Sequence, residues 1–584
     1  MHLQRLKLGA FRNLRDLEVR FTESATDTAG DVQRLKSHAV IGPNGTGKSN
    51  LIEAIVAIFR DLDLNREPAF DYELDYEVRG HRIAIRASAC SPARVQVDGL
   101  ETDPWELSDI RREDPETGKV ERGKARRYLP SNVFTYYSGK NDRLEALFRD
   151  HQQAFIENLN DFDLSAEDET GFEDTSASDA LVRRLFYCRH PHAKLVLLSL
   201  LLAPEHPLKQ ILDDLRIVDV DSALFILKQP YRLTGDVLTR EDIRQGSPRF
   251  WYDRTRFTEE LLEKLWELAV APIDDVAEQP IDFRGRVEEQ ALLYLFLDSR
   301  EKLMELKEHV GDSYRFFRFL EGAYIADLLE DLRIFVRHRQ ADGLMTFEQL
   351  SEGELQLLTV LGLMRLTHED ECLFLLDEPD THLNPLWKLR YFERIEQVLE
   401  QESEGPIKGD SQIIVTTHDP MMIGSLRREQ VRILRTEGDR AVVVEPSEHP
   451  RGMGVAGLLK SEYWGLPSTL DAHTLKQIQR RNELIAAKAR GDLSEEEAIE
   501  LDDVQRYLDD LGFSKVSRDP LYQQFVEKMY AVRSLPLNDL LSKQELAEQE
   551  ALAQAVVREL IKRERADDLS KLARELQVQL KDQG

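Results

Sequence analysis

The amino-acid sequence predicts an α/β fold: a mixed, mostly parallel sheet with an antiparallel β subdomain, a helical insertion and a helical C-terminal extension. Three observations carry this. The stretch Gly42-Pro43-Asn44-Gly45-Thr46-Gly47-Lys48-Ser49 stands between "HAVI", a strand pattern, and "LIEAIVAIF", a helix pattern. Two near-continuous apolar runs, "CLFLLDEPD" and "QIIVTTHDP", have the character of strands buried on both faces of a parallel sheet. The segments "YELDYEVRGHRIAIRA" and "ARVQVDG" alternate at period two, as an antiparallel hairpin and a following strand do.

In chain order, "LQRLKLGAFRNLRDLEVRF" reads as two strands around a turn at Phe11-Arg12-Asn13, followed by the strand–loop–helix unit and the hairpin. A charged loop from Arg111 to Arg127 leads to a further strand, "SNVFTYYSG". Between Asn158 and Ala180 the chain is acidic and poor in large apolar residues, which marks a solvated loop and a boundary. From Leu181 to about Glu330 patterns such as "FTEELLEKLWELAV" and "GAYIADLLEDLRIF" predict a compact helical insertion, without the sustained heptads of a coiled-coil arm. Strand character returns in "LRIFVRHR", and "QVRILRTEGDRAVVVEP" reads as a hairpin with its turn near Gly438. Past Pro450 nearly everything reads as helix, and no internal repeat is found. The expected division is 1–150, 151–330, 331–447 and 448–584.

A chain of 584 residues has room for two to four domains. Its 108 acidic against 78 basic side chains give a formal charge of −30, which disfavours non-specific coating of nucleic acid. Cys90, Cys188 and Cys372 lie far apart and form no CxxC pair, a usage that suits a reducing cytosol. No stretch approaches the ~18 apolar residues of a membrane span, and Met1-His2-Leu3-Gln4 opens no signal peptide. The expectation is a soluble, cytoplasmic protein.

The chemistry concentrates in four places. Residues 42–49 match G-x-x-x-x-G-K-[ST] in full, the P-loop pattern: its glycines let backbone N–H groups face phosphate oxygens, Lys48 brings a charge to the β- and γ-phosphates, and the Ser49 hydroxyl can ligate Mg²⁺. Placed on a helix N-terminus, the loop gains from the helix dipole as well. In Leu373-Phe374-Leu375-Leu376-Asp377-Glu378-Pro379 a buried strand ends in two carboxylates, where such sheets present groups to a ligand. Asp377 would hold Mg²⁺ through its water shell, and Glu378 would orient and polarise an attacking water. Val415-Thr416-Thr417-His418-Asp419 puts a histidine past the next buried strand, within reach of a γ-phosphate. Ser351-Glu352-Gly353-Glu354 opens an amphipathic helix pattern with a capping box, S-x-x-E. Gly353 in its first turn costs roughly 1 kcal/mol against alanine, so that helix mouth has a use for bare backbone, and such a mouth is an anion site.

Together these motifs resemble the ABC-type ATPase head, a P-loop NTPase fold. The N-terminal "FRNLRDLEVRF" and the "LSEGE" signature are similar to the SMC/RecF/OLD branch and not to membrane transporters, whose signature is Ser-Gly-Gly. "YYSGKNDR" and "SEYWGLPSTLD" further resemble restriction-system-associated AAA family ATPases and the Septu anti-phage ATPase subunit. The resemblance implies a head formed by 1–150 and 331–447, binding ATP and Mg²⁺, with Gly42 to Ser49 and Asn50 of "GKSNL" on the nucleotide and Ser49 and Asp377 on the metal. Glu378, His418 and Lys48 would be catalytic in cis. Ser351, Gly353 and Glu354 would close over the nucleotide of a second protomer, so a homodimer or higher homo-oligomer is expected. It also implies a separately encoded effector, a nuclease, in anti-phage defence, with DNA as a further candidate partner and no membrane. A RecF- or SMC-like repair ATPase and an ATP-sensing scaffold with negligible turnover are the alternatives. Two departures stand out: Asn132 to Asp142, where a Q-loop glutamine belongs, contains none, and Asn384 replaces the usual Asp or His in Asp380-Thr381-His382-Leu383-Asn384-Pro385.

No nuclease site is expected in the chain itself. Asp219-Val220-Asp221 lacks the Glu-Gly strand end of a Toprim site, Asp298 with Glu305-Leu306-Lys307 sits in a helical pattern, and Cys188 with His190 and His192 has no second ligand pair. Arg122 to Arg127 reads as a solvated basic loop. The final "LSKQELAEQEALAQAVVRELIKRERADDLSKLARELQVQL" carries an apolar stripe at helical spacing, expected as a docking face.

Overall fold

The computed structural model of the chain describes residues 1–22, 24–26, 32–113, 120–139, 142–149, 151–153, 184–188, 190–203, 212–213, 215–230, 233, 243–244, 246–253, 255, 257–280, 287–339, 344–366, 371–400, 410–438, 440–511, 544, 547–548, 550–560 and 562. The acidic boundary expected at 158–180 and most of the C-terminal apolar stripe lie outside these residues. Two compact units emerge, Met1–His449 and Pro450–Gly584.

In the first unit a sheet of seven strands, among the described residues, runs in the order Leu185–Cys188, Val133–Tyr137, Leu373–Asp377, Gln412–Thr417, Ser37–Ile41, Val431–Glu437, Arg440–Val444. All neighbours are parallel except the last pair, the hairpin turning at Gly438. A second, antiparallel sheet orders Leu14–Arg20, His2–Phe11, Tyr72–Val78, His81–Ala87, Arg94–Val97 and Leu100–Thr102. One hydrophobic core joins this sheet, the helix Lys48–Asp63 and one face of the parallel sheet. Strand alternation sets which residues contribute: Leu373 and Leu375 face that core, while Phe374 points the other way and stacks on Phe134 at 4.9 Å. Helix Lys48–Asp63 is buried almost all round, from Leu51 through Phe59 without an exposed position. Each such fully buried aliphatic or aromatic side chain stabilises by about 1.5–3 kcal/mol.

The insertion departs from the helical expectation. Among the described residues it supplies the edge strand Leu185–Cys188 to the parallel sheet, and strands Ile217–Lys228, Ile273–Pro280 and Val287–Leu297 to a separate antiparallel sheet completed by Leu329–His338 and Leu344–Thr346. The reason is local: "IVDVDSALFILK" is rich in β-branched residues, and "ALLYLFL" is an apolar run that periodicity alone cannot assign. Helices Arg300–Val310 and Ser313–Ile325 remain, capped by Ser299 and Asp312.

The second unit contains helices Gly454–Lys460, Ala472–Arg490 and Glu495–Asp510. Asp471 accepts from His473 and Thr474 N–H at 3.0 and 2.9 Å, and Ser494 with Glu497 forms a capping box. Between the two long helices, Arg480 donates to both carboxylate oxygens of Glu500 at 2.9 and 2.7 Å.

Candidate active site

Sheet register brings the motifs together. Asp377 pairs with Thr416, and Thr417 pairs with Ile41, so three neighbouring strands end level. The residues that follow, Glu378, His418 and Gly42, therefore emerge side by side at the carboxyl edge, where α/β sheets bind ligands.

The loop between Ile41 and Lys48 depends on glycine at two points. A Cβ on Gly42 would overlap the Leu434 carbonyl oxygen. Gly47 has φ 105°, and a Cβ there would lie 2.5 Å from Leu14 Cδ2 and 2.8 Å from Asn13 Oδ1. That crowding comes from the turn Phe11-Arg12-Asn13, which packs on the loop: Asn13 donates to the Gly45 carbonyl at 3.1 Å and Asn50 donates to Asn13 at 2.6 Å. Arg12 holds Asn50 at 3.1 Å and ion-pairs with the buried Glu53. The N-terminal turn thus supports the phosphate loop. Thr46 is buried and its hydroxyl donates to the Pro43 carbonyl at 2.9 Å, while Asn44 and Gly45 stand exposed at the tip.

Lys48 is buried, and its Nζ donates to the Gly42 carbonyl at 2.9 Å and lies 3.9 Å from Glu378 Oε1. Burial pushes this ammonium below its ordinary range, opposed by the carboxylates of Glu378, Asp377 and Asp380. Asp377, 1% exposed, accepts from the Thr416 hydroxyl and from the Ser49 side chain. Burial raises its pKa, those two hydrogen bonds lower it, and Glu378 raises it further. A buried carboxylate beside a hydroxyl at the mouth of a phosphate loop is a donor set that fits a hard divalent cation. Glu378 Oε1 lies 3.1 Å from His418 Nδ1. Its backbone has φ 49°, the left-handed region, which is uncommon for any residue with a side chain and concentrates at functional sites.

The signature segment lies on the same edge. Helix Glu352–Leu366 begins with the expected capping box: Ser351 N–H and hydroxyl donate to Glu354 Oε2 at 2.7 and 2.8 Å. The helix is not amphipathic in place, since Leu355 through Met364 are all buried. Gly353 finds a reason inside its own protomer. A Cβ there would overlap the His382 carbonyl oxygen, so the Asp380–Pro385 turn closes directly onto the helix mouth. Ser351 itself is exposed. At the far end of that turn Asn384 caps the helix Pro385–Glu400, accepting from Trp387 N–H at 3.0 Å.

Several participants carried no recognisable sequence signal. Thr416 bonds Asp377. Tyr137, whose pKa is raised by burial and by Asp377 and Glu378, ends the strand beside Asp377. Ser138, in the segment from Asn132 to Asp142 that holds no glutamine, stands 3.0 Å from the Thr381 hydroxyl. The excluded metal-like clusters have structural partners: Asp219 pairs with Arg300 at 2.9 Å, Asp298 with Lys302 at 2.9 Å, and Glu305 with Lys264 at 2.9 Å.

In a comparison with known proteins, residues 228–423 match the family described as "AAA domain, putative AbiEii toxin, Type IV TA system". No curated protein matches the chain. Solved structures similar to it include the SMC head domain from Thermotoga maritima, at 14% identity and TM-score 0.29, covering 76% of this chain and 100% of that one. The Smc head domain of Pyrococcus furiosus bound to the C-terminal domain of ScpA is similar at 12% identity and TM-score 0.29, covering 76% and 96%. The recombination mediator RecF, in a nucleotide complex, is similar at 12% identity and TM-score 0.28, covering 76% and 97%. The stretch that matches the family, residues 228–423, holds the Ser351–Glu354 segment, the Asp377-Glu378 strand tip and His418.

Proposed function

We propose that this protein is an ATPase that hydrolyses ATP at a dimer interface and uses the cycle to control a separately encoded effector, a nuclease, in defence against phage. The observation that carries the hydrolysis is the meeting of Lys48, Glu378 and His418 at one point, with Glu378 Oε1 3.9 Å from Lys48 Nζ and 3.1 Å from His418 Nδ1. Phosphoryl transfer to water needs positioning and charge stabilisation more than covalent chemistry. Glu378 orients the attacking water and takes up its proton density. Lys48 offsets charge on the terminal phosphates, and His418 keeps Glu378 in place and reaches the γ-phosphate. Ser49 and Asp377 would hold Mg²⁺, which when bound neutralises phosphate charge. Ser351, exposed at the end of its helix, presents that helix mouth to the nucleotide of a second copy.

The effector and the defence role draw support from the resemblance of "YYSGKNDR" and "SEYWGLPSTLD" and from a matching family whose description names a toxin of a toxin–antitoxin system. The test couples two variants with phosphate release and sizing in ATP. Glu378→Gln binds ATP, loses turnover by roughly a hundredfold or more and accumulates a closed dimer. Ser351→Arg keeps ATP binding and loses ATP-dependent dimerisation and hydrolysis together. Near-normal turnover in Glu378→Gln rejects the catalytic assignment, and ATP-dependent dimers in Ser351→Arg reject the shared site. For the defence role, plaque counts with the neighbouring genes present should rise to the unprotected level in the Glu378→Gln background. DNA-stimulated turnover without any such protection would favour the repair reading.

A further inference from the structure

The backbone of Glu378, at φ 49°, sits where a side chain is strained, and such a conformation persists only when the surroundings over-determine it. Its own neighbours supply three restraints. Glu378 N–H donates to the Thr416 carbonyl at 3.0 Å, its carbonyl accepts from the Thr381 hydroxyl at 3.0 Å, and the Pro379 ring fixes the following φ. A fourth restraint reaches across from the signature helix: Gln356, 3% exposed, donates its Nε2 to the Pro379 carbonyl. One turn earlier the same helix meets the same loop again. Gly353 lies directly under the His382 carbonyl, and Glu352 Oε1 is 3.4 Å from His382 Nε2. Helix and loop are thus joined at two levels, one of them next to the catalytic carboxylate.

We infer that Gln356 is a positioning residue: through the Pro379 carbonyl it holds Glu378 in its strained conformation and links movement of the signature helix to the carboxylate that orients water. It does this in a head that has no glutamine between Asn132 and Asp142. The inference rests on the ATPase reading above, so its test includes a measurement that does not need turnover. Gln356→Met keeps the side-chain length and removes the N–H donor. The expected result is a roughly tenfold fall in kcat, as small misplacements near the chemistry produce, with KM and the affinity for ATP within about twofold. In the full chain without nucleotide, amide exchange over Asp377–Leu383 should quicken while protection along Leu357–Leu363 stays as in the wild type.

Unchanged exchange over Asp377–Leu383 overturns the inference whatever the kinetics. So does a loss of protection along the whole helix, or a fall in ATP affinity matching that in kcat, since either marks general damage. If the wild type shows no turnover, the ATPase reading fails and the exchange comparison alone decides this one. Pro379→Ala loosens the same turn without touching the helix. It should move kcat and exchange in the same direction, and it serves if Gln356→Met does not fold. An effect of Pro379→Ala on ATP affinity with exchange unaltered also counts against the inference.

Discussion

Helix Lys48–Asp63 carries a buried charge at each end, and the two are treated in opposite ways. At the N-terminus Lys48 faces an unfavourable dipole end, and burial dominates, lowering its pKa against the pull of Glu378, Asp377 and Asp380. At the C-terminus Asp63 also faces the wrong dipole end and is as deeply buried, yet its pKa is lowered: burial raises it, and Arg184 and His151 together outweigh burial. Arg184 Nε lies 2.8 Å from Asp63 and His151 Nε2 2.9 Å, while a second Arg184 nitrogen donates to the Pro130 carbonyl at 2.7 Å. At one end the neighbouring carboxylates do not outweigh burial, which fits the role on phosphate proposed for Lys48. The other pairs its charge fully and pins the helix to the edge of the parallel sheet through the residue preceding Leu185–Cys188.

The contrast can be broken from either side. Lys48→Ala should lower turnover about a hundredfold or more, the scale of losing one buried charge-stabilising donor, while the urea midpoint stays level or rises. A large loss of stability would mean Lys48 is a structural cation. Asp63→Asn should do the reverse. Breaking a buried pair and leaving Arg184 uncompensated costs roughly 3–5 kcal/mol, with turnover per folded molecule within about twofold, read by urea unfolding and by active-site-normalised phosphate release.

The pH dependence sharpens the same comparison. Asp63 has a folded pKa below its unfolded value of 3.8, so its contribution is fully present above about pH 3.8 and is lost as pH falls through the lower folded value. Lys48 also has a lowered folded pKa, so what neutral Lys48 contributes is present above 10.5 and absent at neutral pH. Asp377 has a raised pKa, so its contribution is present below 3.8 and lost as pH rises through its folded value. At neutral pH the tip therefore costs stability where Asp63 supplies it. The gap in unfolding free energy between wild type and Asp63→Asn should hold constant from pH 8 to about 5 and narrow only once the pH drops below 3.8. A gap that narrows already between pH 7 and 6 would mean that the Asp63 carboxylate is not the source of the effect.

How much of this was legible depends on how local the determinant is. The phosphate loop, the Asp377-Glu378 strand tip and the Ser351–Glu354 capping box are contiguous, and each has a physical signature within a few residues. The strands of the insertion are not legible in this way, because a short apolar run such as "LLYLFL" fits a helix or a strand equally until its sheet partners are known. Gly353 was visible as an anomaly, but its cause, the His382 carbonyl, comes from a loop that folds back on the helix. Asp63 and Arg184 stand 121 residues apart, and nothing in either neighbourhood announces the pair. Long-range pairing leaves no local pattern, so the contiguous motifs are legible in the sequence and their supports are not.

The smallest expected effect lies on the outer sheet, where charge is abundant and cheap. Arg5 Nη1 and Nε reach Glu73, Glu18 and Asp75 at 2.8, 2.9 and 3.3 Å, and Arg86 reaches Asp75 at 2.7 Å. The carboxylates Glu18 and Glu73 have lowered pKa values, each through its hydrogen bond to Arg5 first. Yet all five side chains are between 23% and 44% exposed, so water and salt compete for every partner. Arg5→Ala should therefore cost about 1 kcal/mol or less, and most of that difference should vanish in about 1 M salt, where charges are screened over a few ångströms. Asp63→Asn, with its partners buried, should keep its full cost in the same salt. If instead Arg5→Ala proves as costly as Asp63→Asn and equally indifferent to salt, then burial is not what separates structural from ornamental charge in this protein.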